Sequence, residues 1–286
     1  MSGEKEQGKI TEAFKNLRDN KLALFGLIVI IFFVFLAAAA DVISPYENGV
    51  RQNSKARLQP PNTEHFFGTD HFGRDVFSRV IHGARISLFI GVATTLVSMS
   101  AALLLGSVTG YYGGIVDEII MRVLDTVMCI PGLLLSLAVV SALGQGLRNL
   151  IIALVVSSVP GFTRLIRSVV LSIAENDYIE AARASGTNDV MIIIRHVLPN
   201  SMGPVIVQST MSIARMIIFA AGFSFIGLGV QPPAPEWGSM LADAREFLRR
   251  APYLMIFPGV SILLSSLSFN LLGDGLRDAL DPKSRI

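Results

Sequence analysis

Apolar and polar positions fall in long blocks along this chain. Ile86 to Val116 carries no charged residue, and neither do Leu22 to Ala40, Thr126 to Leu147, Met216 to Pro235 and Ala251 to Gly273. A bilayer core is crossed by about 20 apolar residues in a helix, and each block comes close to that length or exceeds it. The pattern predicts an all-α polytopic membrane protein with six transmembrane helices. They are expected at Leu22–Ala40, Ile86–Gly110, Ile119–Ala142, Asn149–Leu171, Met202–Gly227 and Tyr253–Leu272. Pro131 is expected to bend the third span, and Pro160-Gly161 to break the fourth.

The spans divide the chain into a polar N-terminal segment (1–21), a first span (22–40), a polar loop (41–85), a core of five spans (86–273) and a tail (274–286). A polar stretch at 172–200 interrupts the core. The first span follows basic residues and ends in four alanines, as a secretory signal also does. It is longer than the apolar region of about 7–15 residues in such signals, and further spans follow it, so it reads as a retained anchor. An even number of spans puts both termini on one side. Lys5, Lys9, Lys15, Arg18 and Lys21 before the first span point to the cytoplasm. Lysine and arginine elsewhere divide almost evenly between the two sides.

Near the end of the first loop, Val76, Phe77, Val80, Ile81, Ala84 and Leu88 share one helical side. Arg74, Asp75, Ser78, Arg79, His82 and Arg85 share the other. This is either an interfacial helix with its polar side in water or a helix packed on its own protein. In the second span Thr94, Ser98, Ala102, Gly106 and Gly110 recur every fourth residue, a ridge that lets another helix approach closely.

Composition narrows the function classes. Hydrophobic residues make up 51% and charged residues 16%, against about 25% charged in soluble domains. That excludes disorder, a disulfide scaffold and a compact water-soluble enzyme. A net charge of +2 offers no basic face for nucleic acid. Cys129 is the single cysteine, so no intrachain disulfide forms. The chain lacks the G-x-x-x-x-G-K-[ST] phosphate loop and the H-E-x-x-H metal motif. Ser224 sits in Gly222-Phe223-Ser224-Phe225-Ile226, where the last residue departs from a nucleophile turn and no histidine lies in another span to serve it. No catalytic or metal-binding residue is expected.

The polar stretch is more informative. Tyr178 to Ser185 reads as a helix stopped by Gly186, Asp189 to His196 as a second short helix, and Pro199 as the end of the segment. Two short helices meeting at a glycine suit a mechanical contact with another protein. Within the spans, Arg122 and Asp125 are spaced to pair. Arg215, Gln208 and Asn270 are candidates for the lining of a translocation path.

Glu180-Ala181-Ala182, three residues, Gly186, nine residues, one further pair and Leu198-Pro199 resemble the EAA loop of ABC-transporter permeases. His196 stands where the general pattern has isoleucine. Phe67 to Asp75, Gly83 to Leu88, Pro235 to Gly238 and Phe269 to Pro282 resemble the C-type permease of the dipeptide, oligopeptide and nickel branch of that family. The resemblance implies a type I importer permease fold in the inner membrane of a prokaryote. It also implies a homologous second permease subunit, two cytoplasmic ATPases that use ATP and Mg, and an external solute-binding protein, with no cofactor on this chain. Glu180, Ala181, Ala182 and Gly186 would couple to an ATPase, and Leu198 and Pro199 would set the exit angle of that element. Asp70, Arg74, Asp75, Glu236 and Trp237 would dock the solute-binding protein, unless the external loops pack on themselves. The expected cargo is short peptides, with a nickel chelate or glutathione as alternatives. A channel or secondary carrier working without ATP is the rival from another class.

Overall fold

The computed structural model describes residues 19–280, so the basic segment up to Arg18 and the end of the tail lie outside the described residues. Asn20 opens the first helix, its Oδ1 accepting from the Leu22 and Ala23 amides at 3.1 Å. Helix α1 (Lys21–Ala38) leads to the short helices α2 (Ala40–Ile43) and α3 (Tyr46–Val50). An irregular loop then precedes α4 (Val76–Tyr112). Next come α5 (Gly114–Met128), α6 (Gly132–Leu143), α7 (Leu147–Ala174), α8 (Asp177–Ala184) and α9 (Asp189–Ile192). A π turn, Ile193–Val197, joins α9 to α10 (Leu198–Phe225); α11 (Trp237–Ala244) and α12 (Tyr253–Leu280) complete the chain.

Five helical runs are long and apolar enough to cross a bilayer, namely α1, α4, α7, α12 and the continuous run Asp189–Phe225. The pair α5 and α6, bent by 84°, supplies a sixth span when the two are taken as one broken crossing. The third span is therefore two helices rather than one bent helix. Pro131 is extended (φ −51°, ψ 130°), and proline disfavours helical backbone in the residue before it. The fourth span is not broken. Pro160 lies buried inside a continuous α7, because a helix in lipid keeps its backbone hydrogen bonds internal. Pro199 does not end the polar segment either, since the chain runs on helically into α10. The wider π turn just before it makes room for a proline that lacks an N–H and crowds the preceding turn.

Small residues bring the crossings together. A Cβ on Gly106 would lie 2.8 Å from Ile166 Cβ, and one on Gly110 2.8 Å from Val170 Cβ, so the ridge on α4 meets α7. Gly91 meets Ile217 of α10, and Gly26 of α1 meets the Ser268 carbonyl of α12. The chain alternates between two ends. One end holds the loop between α1 and α4 together with α11; the other holds the α8–α9 hairpin. Lys21 and Leu280 both lie at the hairpin end.

The loop end is tightly knit. The segment from Val76 is packed on its own protein: Ser78, Arg79 and His82 are buried within α4. His82 Nε2 is 2.8 Å from the Ser44 carbonyl, and Arg79 Nη1 donates to the Gly49 carbonyl at 3.0 Å. Asp70 and Arg74 pair at 2.6 Å, and Arg74 reaches Asp243 of α11 at 3.2 Å. Asp75 caps α4 by accepting from the Ser78 amide at 2.7 Å and pairs with His65 at 2.7 Å. Glu236 is only 1% exposed and caps α11, accepting from the Gly238 amide at 2.9 Å and the Ser239 amide at 2.8 Å. Burial pushes its carboxyl above the ordinary range, and those two amides oppose the shift. Trp237 is fully buried, donates Nε1–H to the Val80 carbonyl at 2.9 Å and meets Phe33 edge-on at 5.5 Å. Gly238 follows because a Cβ there would lie 2.4 Å from Ala221 Cα on α10.

These contacts favour the alternative in which the external loops pack on themselves. Asp70, Arg74, Glu236 and Trp237 are buried, and Asp75 is engaged in a cap and an ion pair. They hold the loops over the crossings, while Asp75 also lines an open cleft with Glu64 and His65.

Trp237→Ala is expected to destabilise the fold by about 3–5 kcal/mol, as large-to-small core changes do. Trp237→Phe should cost clearly less, because it keeps the edge contact to Phe33. Denaturation in detergent followed by circular dichroism measures both.

Candidate functional site, the hinged hairpin and the face of helix α10

The hairpin is built by local sequence. Helix α8 ends at Ala184, and Gly186 adopts φ +80°. The Thr187 amide donates to the Ala182 carbonyl at 3.1 Å and the Gly186 amide to the Arg183 carbonyl at 3.0 Å, the paired bonds of a Schellman stop. Asn188 then caps α9, its Oδ1 accepting from the Val190 amide at 2.9 Å. No heavy atom lies within 4 Å of a Cβ built on Gly186, so glycine serves the backbone angle and not a close contact.

One face of the hairpin is sunk in the core. Ile179, Ile192 and Val197 are fully buried with Phe162, Ile166 and Val170 of α7. The other face is open: Glu180, Ala181 and Gly186 are exposed, and Ala182 is half-buried. Tyr178, Val190, Met191 and Ile194 add exposed apolar area around them. Leu198 is half-buried and Pro199 exposed at the start of α10. The predicted coupling residues thus share one projecting element.

Three residues that sequence reasoning passed over fasten it. Tyr111, in the last turn of α4, donates Oη–H to Asp189 Oδ1 at 2.7 Å, and the Arg183 guanidinium lies 5.1 Å from the Tyr111 ring centre. The available signal was a pair of tyrosines closing an apolar block immediately before two glycines. Next to it, Arg167 of α7 grips Asp117 of α5 through two bonds of 2.5 Å, and Arg164 pairs with Asp125 at 2.5 Å. The expected pair of Arg122 with Asp125 is therefore not made. Asp125 turns to α7, and Arg122 is left 3.6 Å from Glu118 at the surface.

The path candidates lie on one seam. Gln208, Met211, Arg215, Phe219, Gly222 and Ile226 recur at helical spacing on one face of α10. Arg215 is exposed there, and its Nη2 donates to Ser212 Oγ at 2.9 Å. Toward the loop end, α6 and α10 frame a groove of about 370 Å³ lined by Leu133, Leu134, Leu137, Ile218, Phe219 and Gly222. Toward the hairpin end, Gln208 lines a cavity of about 490 Å³ with Leu165, Met211 and Arg277. Asn270 is half-buried on α12, one turn before Gly273, which rests on Met211.

Five long apolar helices and one bent pair, with a projecting hinged hairpin between α7 and α10, fit a membrane transport permease. Residues 102–286 match the binding-protein-dependent transport system inner membrane component family, and the chain belongs to that family. Residues 10–61 match the N-terminal transmembrane domain of oligopeptide transport permease C. The chain is 46% identical to the dipeptide transport system permease protein DppC of Alkalihalophilus pseudofirmus, over 96% of this chain and 90% of that one. It is 43% identical to the di/tripeptide permease protein DppC of Pseudomonas aeruginosa, over 96% and 92%. It is 44% identical to the glutathione permease protein GsiD of Pectobacterium atrosepticum, over 93% and 88%. A solved inward-facing structure of the MetNI methionine ABC transporter superposes with a TM-score of 0.58 at 19% identity, covering 71% of this chain and 96% of that one. The fold is that of a type I importer permease.

Reversing either member of the Arg167–Asp117 pair should lower stability, and the double swap Arg167→Asp with Asp117→Arg should restore part of it. A double-mutant cycle on thermal unfolding in detergent is expected to give a coupling of roughly 1–3 kcal/mol.

Proposed function

We propose that this chain forms half of the translocation pathway of an ATP-driven importer of short peptides and couples to partner ATPases through the α8–α9 hairpin. The observation that carries this reading is the hairpin itself. Its base is held by buried Ile179 and Ile192, while Glu180, Ala181 and Gly186 project into open space. A rigid exposed knob on a chain without a phosphate loop suits force supplied by another subunit. On this reading the hairpin end, with both termini, faces the cytoplasm of a prokaryotic cell. The loop end faces the solute-binding protein.

The exposed face of α10 supports a second permease subunit across the pathway. A charge near the centre of a helix facing lipid costs about 2.5–3.5 kcal/mol, and Arg215 sits in the middle of α10. A water-filled path or a partner subunit removes that cost. An arginine there also suits cargo with a free carboxylate. The relatives named for dipeptides, di/tripeptides and glutathione favour the same cargo class.

The test is co-purification with the partner ATPases and peptide uptake in proteoliposomes. Glu180→Arg and Gly186→Val should each abolish uptake, with ATPase association weakened or hydrolysis uncoupled. At Gly186 the branched side chain also meets a φ of +80°, a strain of about 1–3 kcal/mol. Normal uptake in both variants, or uptake by this chain without ATPases, would overturn the reading. Arg215→Gln should lower uptake of peptides with free C-termini more than that of C-terminally amidated ones.

A further inference from the structure

We propose that Tyr111 is the positioning residue that transmits displacement of the hairpin to α4 and, across Gly113-Gly114, to the bent crossing α5–α6. The inference rests on the hairpin being the ATPase contact and goes on to say where its motion enters the bundle.

Both arms of the hairpin converge on this one side chain. Arg183 belongs to the last turn of α8 and Asp189 is the first residue of α9. The Tyr111 hydroxyl donates to Asp189 at 2.7 Å, and Arg183 lies over the ring at 5.1 Å. Tyr111 is 8% exposed, so water competes little for that bond. The buried isoleucines beneath the hairpin also attach it, but apolar contact is non-directional and tolerates sliding. The hydrogen bond fixes a position.

The chain beyond Tyr111 is built to turn. Gly113 and Gly114 have φ of +60° and +57°, with no heavy atom within 4 Å of a Cβ on either. Glycine tolerates this backbone at little cost, so a short hydrogen-bonded turn sets the direction in which α5 leaves α4. Helix α5 follows, tethered to α7 by Asp117–Arg167 and Asp125–Arg164. Through the 84° bend it carries α6, whose Leu133, Leu134 and Leu137 form one wall of the groove against α10. A continuous set of contacts thus joins the hairpin to that wall.

The experiment uses the complete transporter in proteoliposomes with its binding protein and a labelled dipeptide. Tyr111→Phe keeps the ring under Arg183 and removes the hydroxyl; Asp189→Ala removes the acceptor. In each variant ATPases should co-purify and ATP hydrolysis should persist, while peptide imported per ATP falls roughly tenfold, the scale of one hydrogen bond to a charged group. The double variant should be no worse than either single one. Spin labels at Ala184 and Glu118 of this chain alone, with Cys129→Ser, should give a broader distance distribution in Tyr111→Phe than in the parent. Parental coupling in both single variants, or an unchanged label distance, would overturn the proposal. So would loss of ATPase association in step with transport, or failure of both variants to fold, since the contact would then be scaffold only. If the parent protein binds no ATPase, the functional reading fails, and the label distances still decide the Tyr111 link.

Discussion

The structure depends on how closely α4 and α7 approach. Lipid supplies no hydrophobic drive for helices to associate, so the pair is held by backbone-level packing. Gly106 and Gly110 provide it, since any Cβ at either position would press to 2.8 Å on Ile166 or Val170. Each helix then carries that fixed relation to an end of the molecule. At the loop end, the first turns of α4 hold the loop through Arg79 and His82. At the hairpin end, the last turn of α4 carries Tyr111, while α7 supplies Arg164 and Arg167 and leads into the hairpin. This contact line, in the last turns of both helices, sets the spacing on which the hairpin end is built.

Charge is sorted by the same constraint. The loop end buries Asp70, Arg74 and Arg79 against Asp243, so that opposite charges lie within 4 Å of one another. Breaking such a group leaves an uncompensated buried charge, which is why each member serves architecture before recognition. Among the described residues Glu236 makes no ion pair, and it is satisfied instead by amides at a helix start and by the Ser87 hydroxyl at 3.3 Å. At the hairpin end the ion pairs are half-exposed and tie α5 to α7. Arg215 stands apart. It lies at mid-span, donates to the Ser212 hydroxyl of its own helix, and faces outward.

Much of this was legible as pattern. The apolar runs anticipated the long helices, and the spacing around Gly186 anticipated both arms of the hairpin, because helix stops and membrane thickness act on local sequence. The small-residue ridge was visible too, though not which helix it meets. What was not legible required knowing partners. Asp70, Arg74, Glu236 and Trp237 look like surface chemistry in a polar loop, and only the fold shows that they close over α4 and α11. Asp125 pairs with Arg164, a residue 39 positions away, in preference to the neighbour three positions earlier. Proline was misleading in both directions. Pro131 separates two helices outright, whereas Pro160 and Pro199 are absorbed into continuous ones, and the difference lies in what surrounds each ring.

The two ends also differ in how they hold α10, and this decides how a push at the hairpin is divided. At the loop end α10 is fixed by Gly238 against Ala221, where no side chain fits. At the other end it runs without a break through the π turn into α9. A helix rises about 1.5 Å per residue, which puts Asp189 roughly 48 Å and Arg215 about 9 Å from that fixed point. A tilt about Ala221 that moves the hairpin by a given distance moves Arg215 by about a fifth as much. The cavity around Gln208 lies farther from Ala221 than the groove beside Phe219. A tilt of α10 about Ala221 would therefore displace the hairpin end of this face more than the arginine at mid-span.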